Sequence, residues 1–282
     1  MYRIEDIQGA GVGLRIPHVQ QVLASDTMVS PWFELLVDNW LVEGGLNRRL
    51  LSEVSERYPT VFHGVGLSIG GCHDIDWSYL AQIKALMKET GGLWYSEHLS
   101  FSGTQDFKVA ELLPLPYTQE AVDHLVSRIH QVQDFFGERI LLENVSTYLS
   151  CQYNELEEAE FIKQVAEQAD CYLLLDINNV FVTCSNLNQD IQQFLDTIPA
   201  QRVKQIHLAG FDDKGEYLLD GHNNPVDPRV WQAFEAYIRK NGAIASMIEW
   251  DNELPSLDRL LQERQQAEVI LMTQERSQFQ CA

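Results

Sequence analysis

Eight short apolar runs, separated by longer amphipathic segments, are the feature that most restricts how this chain can fold. They are Val12-Gly13-Leu14-Arg15, Trp32–Val37, Thr60–Val65, Leu93–His98, Ile140–Glu143, Tyr172–Asp176, Val203–Leu208 and Met247–Trp250. Their β-branched and aromatic content, with little polar alternation, predicts parallel strands covered on their outer face. The intervening segments have helical spacing. Leu80, Ile83 and Met87 share one face, as do Ala121, Leu125, Ile129 and Val132 in a long segment, and Trp231, Phe234 and Ile238 further on. Pro228 and Pro255 fall where a first helical turn tolerates proline. Eight such units in 282 residues fit a (β/α)8 barrel of about 250 residues. An open doubly wound sheet would need a glycine-rich phosphate loop opening the first helix. Gly9-Ala10-Gly11-Val12-Gly13 lies before or within the first strand instead. The expectation is one α/β domain over 1–282, a TIM barrel, with a C-terminal helical extension from about Leu261. The apolar Val269-Ile270-Leu271-Met272 is expected to pack as part of that last helix, the alternative being a contact patch.

Composition narrows the partners. With 41 acidic and 20 basic residues the net charge is −21, which repels a phosphate backbone and argues against nucleic-acid binding. No run approaches the ~18–20 apolar residues of a membrane span, and Met1-Tyr2-Arg3-Ile4-Glu5-Asp6 lacks the apolar stretch of a secretory signal. The five cysteines, Cys72, Cys151, Cys171, Cys184 and Cys281, form no CxxC pair. Reduced thiols in the cytoplasm are expected.

The chemistry gathers at the strand ends, where such barrels build their active sites. The third strand carries His63, the fourth His98, the fifth Glu143 and the sixth Asp176, with Asn179 three residues on. The seventh carries His207, Asp220 and His222 follow it, and the eighth carries Glu249. A single histidine or glutamate beside a strand is ordinarily a hydrogen-bonded core residue or a cap. Recurrence at equivalent positions of successive strands is different, because so many titratable groups at one mouth are costly unless paired or metallated. His124 and His130 serve as controls: they share a long helix with Glu120, Asp123 and Arg128 and read as a solvated face. His18 and His73 fall in apparent loops and are left outside the site. Imidazole mixed with carboxylate suits iron, zinc, manganese or cobalt better than magnesium or calcium. These nine candidates exceed the roughly four to six positions of one ion, so two or three ions sharing carboxylates are expected.

Seven segments carry a family resemblance. They are His63-Gly64-Val65-Gly66-Leu67-Ser68, Ser96-Glu97-His98-Leu99-Ser100, Leu142-Glu143-Asn144-Val145, Asp176-Ile177-Asn178-Asn179, Ile206-His207-Leu208-Ala209-Gly210, Asp220-Gly221-His222 and Ile248-Glu249-Trp250-Asp251. Together they resemble the multinuclear non-heme iron-dependent oxidases, the family that includes the iron enzyme of methanobactin biosynthesis. The resemblance runs from Gly11-Val12-Gly13-Leu14-Arg15 to about Asp251. It implies a xylose-isomerase-like TIM barrel holding two or three irons, with His63, His98, Glu143, Asp176, Asn179, His207, Asp220, His222 and Glu249 as ligands. One departure follows the second strand, where the family usually shows Glu-Asn and this chain has Asp38-Asn39. Those two are not counted as ligands.

The resemblance further implies oxidative modification, with dioxygen, of cysteines in a ribosomally made precursor peptide. A separate protein that captures the precursor's leader is an expected partner. Mixed nitrogen and oxygen ligation leaves iron with open positions where a thiolate and oxygen can sit side by side, and a mixed-valent pair is the expected reactive state. The alternative is a redox-neutral zinc or manganese isomerase or hydrolase on a similar barrel. An isomerase would want a lysine at a strand end, and Lys204 stands at the start of its strand. A non-enzymatic metal store is the third reading.

Overall fold

The computed structural model describes residues 2–42, 44–103 and 108–281. The strands are β1 (Ala10–Gly13), β2 (Phe33–Leu36), β3 (Thr60–Gly64), β4 (Tyr95–His98), β5 (Phe101–Gly103), β6 (Lys108–Leu113), β7 (Leu141–Glu143), β8 (Tyr172–Asp176), β9 (Val203–Leu208), β10 (Asp212–Asp213), β11 (Leu218–Leu219) and β12 (Ser246–Ile248). The α-helices are α1 (Ile16–Ala24), α2 (Gly45–Arg57), α3 (Trp77–Thr90), α4 (Gln119–Phe136), α5 (Glu158–Gln168), α6 (Ile177–Leu187), α7 (Ile191–Thr197), α8 (Pro228–Asn241) and α9 (Leu257–Cys281). Eight strands close a parallel barrel in the order β1-β12-β9-β8-β7-β4-β3-β2. All eight expected strands are in it. Two antiparallel hairpins, β5–β6 and β10–β11, follow the fourth and seventh barrel strands.

Helix limits follow local chemistry. Thr118 caps α4 by accepting from Ala121 N, and Gly137 ends it in the left-handed region at φ 83°. Asp227 caps α8 ahead of Pro228. Pro255 stands two residues before α9 rather than within its first turn. That last helix is longer than α4 and packs on β1, β12 and α8. Leu260, Ala267 and Leu271 are buried along it, Val269 and Met272 are exposed, and Glu268 accepts from Ala10 N at 2.7 Å.

The first strand lies two residues earlier than expected. Leu14 N still donates to Glu34 O, and Arg15 leaves the strand as the N-cap of α1, with Pro17 in the first turn. The glycines explain the shift. A Cβ on Gly11 would lie 2.5 Å from the Trp32 ring, and one on Gly13 would lie 3.0 Å from Arg15 Nη1. Both face the interior, where the larger side chains of Trp32 and Arg15 fill the space.

Alternation along the strands sorts that interior into layers. Ile7, Trp32, Val61, Trp94, Leu141, Leu174 and Met247 form an apolar floor. Two residues further along the same strands stand Glu34, His63, Ser96, Glu143, Asp176 and Glu249. The outer apolar layer, from Val12 to Leu271, joins the strands to the helices. Each fully buried large side chain contributes roughly 1.5–3 kcal/mol, so the floor supplies a rigid base beneath a polar mouth. His18 lies in α1, not a loop, with Nε2 2.9 Å from Pro255 O. Arg128, expected on a solvated face, is buried and donates to Ile69 O at 2.6 Å and His73 O at 2.7 Å. Among the described residues no helix is long and apolar enough to cross a membrane.

Candidate metal centre

Glu143, at the end of β7, is the hub. Its side chain is buried, and His63 Nε2, His98 Nε2 and His207 Nδ1 lie 3.0, 3.1 and 3.0 Å from its oxygens. His207 Nδ1 is also 2.9 Å from Glu249 Oε2. Beyond Glu249 stands His222, with Nδ1 3.3 Å from Glu249 Oε2 and Nε2 2.7 Å from Asp220 Oδ1 and 3.7 Å from Asp176 Oδ2. Asp176 is both the last residue of β8 and the N-cap of α6. Its Oδ1 accepts from Asn179 N at 2.7 Å, which leaves Oδ2 for the site. Asn179 lines the cavity, and its Oδ1 accepts from Ser146 Oγ. All nine residues singled out in the sequence therefore surround one mouth, below a cavity of about 650 Å³.

Among the described residues, donor atoms fall into three overlapping groups able to hold an ion: His63, His98 and Glu143; Glu143, Asp176, His207 and Glu249; and His222, Glu249 and Asp251. Glu143 and Glu249 are each shared between two groups. The buried atoms His63 Nε2, Glu143 Oε1 and Oε2, Asp176 Oδ2, His207 Nδ1 and His222 Nε2 have no hydrogen-bond partner in a bonding direction. Two donors bound to one ion at about 2.1 Å and at right angles are about 3.0 Å apart. Close, misdirected nitrogens and oxygens are therefore what a set of donors aimed at shared ions presents, and these residues fit a multinuclear metal site.

The neighbours set the tautomers. His63 Nδ1 is 2.8 Å from Ser96 Oγ, and His98 Nδ1 donates to Gly64 O at 3.0 Å, so each presents Nε2. Protonation follows the crowding of charge. Burial lowers His98, but Glu143 and Glu97 outweigh it and carry its pKa up to about 9. Against burial, Glu34, Glu249 and Glu143 hold His207 well above the usual imidazole value, and Asp220 does the same for His222. Glu143, though buried, is held below the usual carboxylate range by His207, His98 and His63. Burial pushes Asp176 well above it. Without ions the cluster is thus held together by protons, which are the species that divalent ions displace.

Three residues of the site were not among the candidates. Glu34, fully buried on β2, is 2.9 Å from His207 Nε2. Asp251 lies two residues beyond Glu249 and 3.3 Å from His222 Nδ1. Arg15 Nη2 donates to Glu249 Oε1 at 3.1 Å, and Arg15 also pairs with Asp251. Scanning strand ends alone overlooks Glu34. The two-residue period carried one step back from Leu36 finds it. Asp38 accepts from Val65 N and Tyr79 Oη, bonds that tie the short turn after β2 to the loop after β3 at the rim.

Residues 9–272 match the family described as RiPP precursor modification enzyme MbnB/TglH/ChrH. The chain belongs to this family. Its relatives include a UPF0276 protein of Acaryochloris marina, 40% identical over 271 residues, covering 96% of this chain and 98% of that protein. Another, from Anaeromyxobacter sp., is 43% identical over 262 residues, 93% of this chain and 92% of that protein. Among solved structures, a D-tagatose 3-epimerase-like protein superposes with a TM-score of 0.62 at 12% identity, covering 95% of this chain and 99% of that one. Endonuclease IV from Thermus thermophilus does so with 0.58 at 13%, covering 94% and 99%. At such identities the likeness is one of fold, a xylose-isomerase-like TIM barrel.

Proposed function

We propose that this protein is a multinuclear iron enzyme that uses dioxygen to modify cysteine residues of a ribosomally made precursor peptide. The observation that carries the proposal is the ring of unpartnered donors around Glu143, continued through Glu249, in a chain whose family modifies such precursors. His63, His98, Glu143, Asp176, Asn179, His207, Asp220, His222 and Glu249 would hold two or three irons, with Asp251 as a further donor. Bound iron would supply open positions for a thiolate and dioxygen and a path for electrons from the one to the other.

The chain's own residues do the rest. Leu36, Val65, Val109, Leu112 and Val145 give the cavity an apolar wall against which a peptide can exclude water. The β5–β6 hairpin supplies Ser102, Val109, Glu111 and Leu112 to its rim. Arg15 fixes Glu249 and Asp251 from behind. The protein would act as a single barrel domain with a C-terminal helical extension, working with a leader-binding partner protein. Cys72, Cys151, Cys171 and Cys184 are unpaired, which supports a reducing, cytoplasmic setting; the side chain of Cys281 lies outside the described residues. Against the isomerase alternative, the described residues lining the cavity include no lysine, and Lys204 packs over Tyr172 at the opposite end of its strand.

Anaerobic reconstitution with Fe(II) tests the reading. Iron Mössbauer spectra should show more than one iron per chain. Oxygen consumption should require a cysteine-bearing peptide and cease with its serine counterpart. Equal activity from protein loaded with zinc alone would refute it.

A further inference from the structure

The His207 ring meets carboxylates at both nitrogens. Nδ1 faces Glu143 and Glu249 in the centre, while Nε2 lies 2.9 Å from Glu34 Oε2. β9 and β2 are not neighbours in the barrel, so this second contact crosses the interior. Glu34 is fully buried, and a carboxylate there is costly without donors. It has two on the same oxygen, because Gln205 Nε2 also donates to Oε2 at 2.5 Å. The sense of the Gln205 amide is set from below. Trp94 Nε1 can only donate, and it reaches Gln205 Oε1 at 2.9 Å, which leaves the amide nitrogen for Glu34. Gln205 and Glu34 are fully buried, and Trp94 belongs to the apolar floor. A directed string therefore runs up the barrel from the floor indole through Gln205 and Glu34 to the His207 ring.

We propose that Glu34, oriented by Gln205 and Trp94, is a positioning residue that accepts a hydrogen bond from His207 Nε2–H and so turns Nδ1 to the metal centre. The inference rests on the reading that His207 holds an ion. An imidazole bound through one nitrogen keeps one proton, and that proton resides where its acceptor is. His63 and His98 have their acceptors at Nδ1 and present Nε2; His207 has its acceptor at Nε2 and presents the other atom. A carboxylate acceptor also makes the ring a stronger donor to the ion than an amide or water would. Gln205 Nε2 is 3.0 Å from His207 Nε2. With the Glu34 charge removed, that amide donates to the ring instead, and the proton shifts to Nδ1, where it competes with the ion.

The test uses the zinc-loaded full chain with 15N-labelled histidine. Long-range 1H–15N correlation should show His207 metallated at Nδ1 and protonated at Nε2, and His63 and His98 with the reverse. Zinc affinity, read by chelator competition, should fall about 10–100-fold in Glu34→Gln. Gln205→Leu keeps the carboxylate but frees its orientation, and should weaken zinc several-fold and shift the Nε2–H signal; it carries the test should Glu34→Gln fail to fold. A His207 proton on Nδ1 in the wild-type protein, or variants that bind zinc as tightly as wild type with an unmoved His207 signal, would overturn this inference alone. A wild-type chain that binds no ion would overturn it together with the metal reading.

Discussion

Filling the centre should expel protons, and the charges packed around its residues say from which groups. Take protein stripped by a chelator and titrate it anaerobically with Fe(II) or Co(II) at a series of pH values. The surrounding carboxylates raise the pKa of His98, His207 and His222, and burial raises that of Asp176. A group so raised sheds its proton on becoming a ligand, so loading releases protons, and each one released steepens the apparent affinity by about tenfold per pH unit. The stripped protein should show the opposite trend in stability. The folded pKa of His98 is raised from 6.5 to about 9, so its contribution is fully present below pH 6.5 and is lost as pH rises through 9. A shift of that size corresponds to about 3 kcal/mol, and the raised groups His207, His222 and Asp176 act in the same direction. Calorimetry in buffers of differing ionisation enthalpy counts the protons, and thermal melts of stripped and loaded protein follow the stability. Loading without proton release, or a stripped protein that gains stability between pH 6.5 and 9, would refute this account of the cluster.

Other perturbations separate the parts of the molecule. Because Glu143 belongs to two of the donor groups, Glu143→Ala should lower the bound metal by more than one ion per chain, measured by plasma mass spectrometry, and abolish peptide-dependent oxygen uptake. Gly11→Ala places a methyl group 2.5 Å from the Trp32 ring; overpacking of this kind costs about 1–3 kcal/mol, visible as a lower denaturant midpoint with metal stoichiometry per folded chain retained. Arg128→Met removes two bonds to the carbonyls of Ile69 and His73 and should cost about 2–3 kcal/mol, with faster hydrogen exchange in the loop after β3 as its local signature.

Much of this arrangement was legible along the chain. Continuous apolarity at eight places is a local signal, since a strand covered on both faces has to be apolar nearly throughout. His63, His98, Glu143, Asp176, His207 and Glu249 stand at the polar ends of those runs, so a barrel brings them to one mouth. The first strand is displaced from its apolar run because Gly11 and Gly13 carry no side chain to announce it, and the space above them is taken by Trp32, from another strand, and by Arg15, two residues past Gly13. Arg128 looks like a surface residue in a sequence of charged neighbours; only the loop carbonyls beneath it make it a buried one. The hairpins β5–β6 and β10–β11 are short and rest on the barrel rim, with no periodicity of their own to announce them.

Sequence alone thus determined the architecture and the chemical character of the mouth, because strand burial and strand-end polarity are properties of short stretches of residues. Tertiary structure decided which atoms face one another. That Glu143 sits among three imidazoles, that Glu249 is shared with His222 and Asp251, and that Glu34 reaches His207 across the interior depend on closure of the barrel, which brings side chains far apart in sequence within about 3 Å of each other. Proton placement and ion sharing vary with distances of that size, and spacing along a chain does not encode them.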